Sequence, residues 1–470
     1  MYSPRSWNMI LAAFALACLP AVCRAQSGQP QGPWQIAAKI VVDDEGWRWN
    51  WASWDQDKIA SFGDFQYTVY WDADRVFVLV RRDLRDNTIQ TLRLPEFKLT
   101  SDDAHRNTCL GISPADGRLH LSWDHHCNPL RYTRSRAGFL TDPPAQISAA
   151  DIEAPQPITA QSTITSRATY PRLLNDAAGR LFLFYRQGAS GNGDNYLFRY
   201  EPTTASWTLI GQAFSSRGTY APWDNNPSRN AYFHDLLFDT KNRLHATWVY
   251  REIGASWASN HDLHYAYSDD GGQTWCNNAG QRVADLAAGD PIELNDPGIV
   301  VREIPVYSWV MNAACMALDS QGRPHVVTYK LPAPQRPEKL QHNPPDDIGQ
   351  HLRLVHYWRA DDGHWLGGAP IEAGVEYGNV ARGNIVFDAD DTLYYCYQPK
   401  LAKPGIVCVE ARAADEWQQW QSYSLAGPEV AGLDASKHDR RRWTAQSILS
   451  ITAKAGEQGF AIVDLKLKRP

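Results

Sequence analysis

Asp239-Thr240-Lys241-Asn242-Arg243-Leu244-His245-Ala246-Thr247-Trp248-Val249-Tyr250 opens on an aspartate, turns at Asn242, and runs on through β-branched and aromatic residues. Turn residues of this kind tolerate left-handed backbone, and the run that follows has the composition of a strand. The stretch therefore reads as the turn and second strand of a β-hairpin. The same pattern returns as Asp72-Ala73-Asp74-Arg75-Val76-Phe77, Asp116-Gly117-Arg118-Leu119-His120 and Asp176-Ala177-Ala178-Gly179-Arg180-Leu181. It returns again as Asp319-Ser320-Gln321-Gly322-Arg323-Pro324-His325 and Asp388-Ala389-Asp390-Asp391-Thr392-Leu393-Tyr394. Successive copies lie roughly forty to eighty residues apart, the length of a four-stranded propeller blade with loops of varying size. With a seventh candidate from Ile448 to Leu465, the expectation is an all-β, seven-bladed β-propeller.

A second motif supports it. Ser268-Asp269-Asp270-Gly271-Gly272-Gln273-Thr274-Trp275 matches Ser-x-Asp-x-Gly-x-Thr-Trp, the Asp-box hairpin of sialidase-like propellers, which speaks for architecture and not for chemistry. Nineteen Trp and twenty-one Tyr, with twenty-nine Pro and thirty-two Gly, suit many short strands and tight turns better than helices. No long segment of helical period stands out. Arg336 to Gly349 reads as a loop, and the basic run Lys437 to Arg442 as a solvated one.

The first residues carry Arg5, an apolar run from Met9 to Val22, and Cys23-Arg24-Ala25 before Gln26. This has the shape of a secretory signal peptide over residues 1–25, too short for a membrane span, so residues 26–470 are expected to form one catalytic propeller, secreted to periplasm or medium. A lipid anchor at Cys23 is the competing reading, but Val22 stands where a small residue should precede such a cysteine. No membrane span is expected elsewhere, and the protein is expected to be a monomer. The formal charge of −6 supplies no basic field for nucleic acid, while a few arginines focused in a cleft still suit an acidic substrate.

Of eight cysteines, Cys18 and Cys23 fall in the leader, which leaves too few for a disulfide framework. Cys396 and Cys408 flank an apparent hairpin and are placed to pair. His261, His264 and Cys276, with His351, are candidate ligands for a structural zinc; calcium is the other structural ion considered, and the metal is left unknown. No cofactor is expected to be needed for the chemistry.

Polar clusters fall beside strand ends, where a propeller exposes its central funnel. Asp102-Asp103-Ala104-His105-Arg106-Asn107 precedes a strand, and Asp124-His125-His126 follows its partner across the turn at Asp116-Gly117, so His105 and His125 leave the same end. In the next hairpin Tyr170-Pro171-Arg172 precedes one strand and Tyr185-Arg186 ends the other. Two histidines, a tyrosine and an arginine on adjacent hairpins match what elimination from a uronate requires. A histidine suits abstraction of the weakly acidic C5 proton, an arginine the charge that grows on the adjacent carboxylate, and a tyrosine hydroxyl protonation of the departing O4.

At these residues the chain resembles the BNR-4 group of propeller proteins, which includes the ulvan lyases. The resemblance runs from about Gly46-Trp47 and Gly63-Asp64-Phe65 to the last blade, and is strongest in Asp103-Ala104-His105-Arg106-Asn107, Trp123-Asp124-His125-His126, Tyr170-Pro171-Arg172 and Tyr185-Arg186 with Ser190-Gly191-Asn192-Gly193. It implies a seven-bladed polysaccharide lyase acting on an acidic rhamnose–uronate polymer, with His105 and Tyr170 as base and acid and Arg186 with His125 holding the uronate; for a glucuronate, whose C5 proton and O4 leave from one face, Tyr170 alone can serve both roles, whereas an iduronate favours the division between His105 and Tyr170. Tyr232, Arg251, Arg172 and His126 are the further substrate-contact candidates. Phe62, before Gly63-Asp64, departs from the polar residue expected in many relatives. Two rivals stay open: a glycoside hydrolase of rhamnosyl–glucuronate linkages on the same scaffold, and a sugar-binding propeller without turnover.

Overall fold

A computed structural model describes residues 32–50, 57–254, 256–312, 315–336, 347–371, 382–398, 405–426 and 437–468. The expected leader and most of the expected Arg336–Gly349 loop lie outside these residues. The recurrent aspartate explains the repeat physically. The Asp176 carboxylate accepts the backbone N–H groups of Ala178 at 3.0 Å and Arg180 at 2.8 Å. Asp239 does the same for Lys241 and Arg243, both at 2.8 Å. Asp319 does so for Gln321 at 3.0 Å and Arg323 at 2.8 Å, and Asp388 for Asp390 at 3.0 Å and Thr392 at 2.9 Å. One carboxylate thus satisfies two turn N–H groups that the ladder leaves open, and the chain reverses at the same place in each hairpin.

Among the described residues the strands form seven antiparallel sheets in chain order. The first comprises Ile59–Phe62, Phe65–Trp71, Val76–Asp83 and Ile89–Lys98; the second Thr108–Ser113, Arg118–Trp123 and Tyr132–Arg134. The third is built on Ala168–Asn175, Leu181–Ala189, Asn192–Glu201 and Ser206–Phe214, with His126–Asn128 added beside Ala168–Asn175. The fourth is led by Asn226–Phe238, Leu244–Glu252 and Asn260–Ser268. The fifth runs from Cys315–Leu318 to Trp365–Pro370 and the sixth from Gly383–Phe387 to Trp420–Ala426. In the seventh, the N-terminal strand Trp34–Asp43 pairs with Gly459–Leu467, which pairs with Ile448–Ala455, so the two ends of the chain complete one sheet.

Apolar side chains fill the spaces between consecutive sheets. Trp71 and Phe77 of the first meet Leu119 and Trp123 of the second; Cys109 and Tyr132 of the second meet Leu181 and Phe198 of the third. Phe184 and Phe214 pack on Trp248 and Trp275 across the third and fourth sheets. Tyr232 and Tyr265 pack on Val326 and Trp365, Tyr329 on Tyr395, and Cys408 on Leu449 at the next three boundaries. Tyr70 and Val78 close on Phe460, which returns the last sheet to the first. The molecule is an all-β propeller. At the closing boundary Arg82 and Asp464, each 1% exposed, pair at 2.8 Å. Breaking one partner of such a pair costs about 3–5 kcal/mol, because the other charge stays buried.

One expectation changes and one pairing is met. The run Lys437–Arg442 is not a solvated loop: Lys437, His438, Asp439 and Arg442 are buried, and a short helix, Arg440–Gln446, sits at the strand Ile59–Phe62. Distant acids neutralise the run, with Lys437 on Asp235 at 2.8 Å and Arg442 on Asp464 at 2.7 Å. Cys396 and Cys408, opposite each other in the sixth sheet, form a disulfide. Among the described residues no helix is long and apolar enough to cross a membrane.

Candidate functional site

The leading strands of the sheets start on one face of the propeller, and His105, Tyr170 and Tyr232 enter there. His105 lies in the loop before Thr108–Ser113. The Asp103 carboxylate fixes it, accepting the His105 backbone N–H at 3.0 Å through Oδ1 and meeting its Nδ1 at 2.6 Å. A carboxylate held ionised only accepts, so His105 Nδ1 carries the proton and a neutral ring keeps Nε2 as its basic atom. His126 brings its own Nδ1 to the other oxygen, Asp103 Oδ2. The two imidazoles stack at 4.2 Å with 20° between their planes. Burial works against the Asp103 charge, yet the bonds from His105 and His126 hold it far below the ordinary carboxylate range. Burial pushes His105 below its usual value, and Asp103 opposes that shift.

Tyr170 begins the third sheet at a break in its ladder. The register between Ala168–Asn175 and Leu181–Ala189 shifts between Thr169 and Arg172, and Tyr170 takes a φ of 56°, rare for a bulky residue. Its ring lies 6.0 Å from His105 and 6.0 Å from Tyr232. Beneath it, Arg186 is 2% exposed, with its guanidinium 5.1 Å from the Tyr170 ring centre and 5.9 Å from that of Tyr232. Arg186 Nη1 donates to Tyr232 Oη at 3.3 Å and Nη2 faces Cys127 Sγ at 3.7 Å, while Nε is buried without a partner. Among the described residues no carboxylate pairs with Arg186. Gly193 makes room for it: a Cβ there would stand 2.9 Å from Arg186 Cγ and Cδ.

Tyr232 links two arginines. Its oxygen also accepts from Arg251 Nη1 at 3.0 Å and donates to Ser190 Oγ at 3.1 Å. Arg251 stacks on the Tyr232 ring at 4.1 Å and reaches Asn260 at 2.9 Å and Asn312 at 2.6 Å. Burial alone would raise the Tyr232 phenol, but Arg251 and Arg186 outweigh it and bring it below the ordinary value.

His105, His126, Tyr170, Arg186, Tyr232 and Arg251 are therefore brought together, Arg172 lines a small cavity with Tyr170, Arg186 and Tyr232, and His125 stands apart. His125 is fully buried; its Nε2 accepts the Arg131 backbone N–H at 2.8 Å, and burial pushes it down to about 3. The positive φ of Asp124 and Cys127 reorients this segment, so that His126 rather than His125 faces His105. Arg172 is 3% exposed and pairs with Asp235 at 2.7 Å in the same network as Lys437, so it backs the site beside Tyr170 and Arg186. Asp103, Cys127 and Ser190 are the participants that the residue reading did not single out. The Asp-x-His spacing of Asp103 and His105 was the one available signal, since Cys127 and Ser190 carry no motif of their own.

Among the described residues two groups have ligand atoms close enough for a metal ion: Asp103, His105 and His126, and His261, Asp262 and His264. The second keeps two of the candidate zinc ligands. It excludes His351, which is exposed and pairs with Asp347, and Cys276, which faces Tyr267 in the sheet. Buried His264 stands against the backbone of Trp248 and Asp262, while His261 already meets Asp262 at 2.9 Å and Glu252 at 3.2 Å.

Two cavities of about 710 Å3 and 510 Å3 lie at the opposite, turn-bearing face, and a small one is lined by Tyr170, Arg186 and Tyr232. Fold and site define a β-propeller that gathers imidazole, phenol and guanidinium groups at one end of adjacent blades. The chain belongs to the BNR repeat-containing family, which it matches over residues 65–368. Among solved structures it is similar to the polysaccharide lyase Uly1, with 14% identity over 93% of this chain and 100% of that one and a TM-score of 0.66. It is also similar to a PL25 ulvan lyase, with 14% identity, 90% and 95% coverage and a TM-score of 0.67. The same lyase bound to a glucuronate–sulfated-rhamnose repeat gives a TM-score of 0.65. At this identity the likeness concerns the fold. No curated protein matches the chain.

Proposed function

We propose that this protein is a secreted, seven-bladed polysaccharide lyase that cleaves a rhamnose–uronate glycan by β-elimination at the His105–Tyr170–Arg186 face. Seven sheets joined by apolar boundaries in succession support the blade number. The observation that carries the chemistry is Arg186: a buried guanidinium without a carboxylate partner, set under a tyrosine and beside a carboxylate-oriented histidine. Leaving such a charge uncompensated costs several kcal/mol, a cost that makes sense where negative charge develops during the reaction.

In this reading His105 Nε2 removes the C5 proton, with Asp103 fixing the tautomer and stabilising the imidazolium. Tyr170 passes its phenolic proton to O4 as the C4–O4 bond breaks, leaving a 4,5-unsaturated uronate and a new hydroxyl on the other sugar. Tyr170 then recovers a proton from solvent, and His105 releases one. Arg186 is covered by Tyr170, so in this arrangement its charge acts through the ring, favouring the phenolate that forms for an instant. His126, sharing Asp103, takes the supporting place that the sequence reading gave to His125. Tyr232 and Arg251 hold the far wall. When bound, a structural zinc at His261, Asp262 and His264 would brace the irregularity at Asp262 within the strand Asn260–Ser268; the elimination does not run through it.

Hydrolysis is less well supported. It asks for two available carboxyl groups, whereas Asp102 is bound by Trp47 at 2.8 Å and by Arg48, Asp103 by two histidines, and Asp124 by Arg106 and Arg131. Product masses separate the two: elimination conserves the substrate's mass, and hydrolysis adds one water per cleavage. Products heavier by one water would refute the lyase reading.

A further inference from the structure

The cavity of about 710 Å3 lies at the far end of the leading strands from the site above. It is lined by Asn175, whereas Tyr170 stands five residues earlier on the same strand, so the two places are separated by about 17 Å at 3.3–3.4 Å per strand residue. Its walls include Phe62, Leu174, Leu237, Arg441 and Gln446. Nearly every charge around it is already used. Arg440 pairs with Asp235 at 2.6 Å, Arg442 with Asp464 at 2.7 Å, and Asp176 with Arg180 at 2.5 Å. Asp439 accepts from Gln66 at 2.8 Å and from Ser61. Arg441 is the exception: half-buried, it has no hydrogen bond or ion pair among the described residues, and only the Phe62 ring lies by its guanidinium, at 5.7 Å. Asp57 also lines the cavity, but the acid whose field reaches Arg441 is Asp439, and burial still lowers Arg441 below its ordinary value.

A partly desolvated cation beside a half-buried aromatic ring, opening into a cavity the size of a small ligand, is complementary to an anion carried on a ring. We propose that the turn face holds a second glycan site, in which Arg441 binds the carboxylate or sulfate of an acidic sugar while Phe62 meets the apolar face of its ring. The proposal rests on the acidic-glycan reading for its occupant. A polymer held here stays near the catalytic face between cleavages, so the site lowers KM for long chains and not for short ones.

The test is calorimetric titration of the Tyr170→Phe, Arg186→Met protein with glucuronate, with rhamnose sulfate, and with uncharged rhamnose. One acidic sugar should bind and rhamnose should not; which one binds identifies carboxylate or sulfate as the anion. Arg441→Gln should weaken that binding at least about tenfold, the scale of one charge-assisted contact, with Arg441→Lys in between and Phe62→Ser also weaker. No binding by either acid, or equal binding by Arg441→Gln, overturns the proposal. The lyase reading fails separately: an inactive wild-type protein with Arg441-dependent binding sinks that reading and leaves this site standing.

Discussion

Replacing Asp103 by asparagine probes the part of the site on which both histidines depend. The substitution keeps the shape of the side chain but removes its charge and one of its two accepting oxygens. Asp103 Oδ1 receives the His105 backbone N–H and Nδ1, and Oδ2 receives His126. A hydrogen bond to a charged group contributes about 1.5–3 kcal/mol, so losing the one that orients His105 should lower kcat roughly 10- to 150-fold. An amide that presents its NH2 to His105 also favours the wrong tautomer. The pH profile carries a second signature. Asp103 opposes the burial that lowers His105, so its removal lowers His105 further, and the acid limb of kcat/KM should move to lower pH even as the plateau falls. The assay is the initial rate of unsaturated-uronate formation between pH 5 and 9. A variant with an unchanged plateau and acid limb would refute the claim that Asp103 positions the base.

Other outcomes follow from the same geometry. Arg186→Met should remove activity while leaving stability equal or higher by about 1–2 kcal/mol, because a buried cation without a carboxylate is replaced by apolar volume; denaturant unfolding checks it. Asp235→Ala strips the partner from Arg172 and Lys437 together and should destabilise by about 3–5 kcal/mol, measured by denaturant unfolding, because both buried cations lose their carboxylate. His125, His234 and His264 are each pushed down to about 3 by burial. Their unfolded forms take up protons near pH 6.5 while the folded forms do not, so stability should begin to fall below about pH 6.5 and keep falling towards pH 3. An unfolding midpoint that is flat from pH 7 to 5 would contradict this.

The fold was legible because one local device repeats. The aspartates at 176, 239, 319 and 388 cap turn N–H groups with their own carboxylates, so the signal lies within a few residues and survives in the sequence. The meeting of His105, Tyr170 and Arg186 was legible too, since hairpin geometry sets opposite strand ends side by side; Thr169 does pair with Arg186. Local irregularity hid the rest. A break in the ladder at Tyr170 and positive φ at Asp124 and Cys127 decide which neighbour faces the site, so His126 enters, His125 does not, and Arg172 is buried beside Tyr170 and Arg186. No alternation rule reports such a break. The burial of Lys437–Arg442 was out of reach for a different reason: Asp235 is some two hundred positions away in the chain, and only ring closure brings it near.

The central claim is tested most directly by ultraviolet absorbance of the reaction with a rhamnose–glucuronate polymer, followed for the mature protein and for Tyr170→Phe. The account predicts a rising 4,5-unsaturated uronate band with the wild type and its loss in Tyr170→Phe. New reducing ends with no rise in absorbance would contradict it.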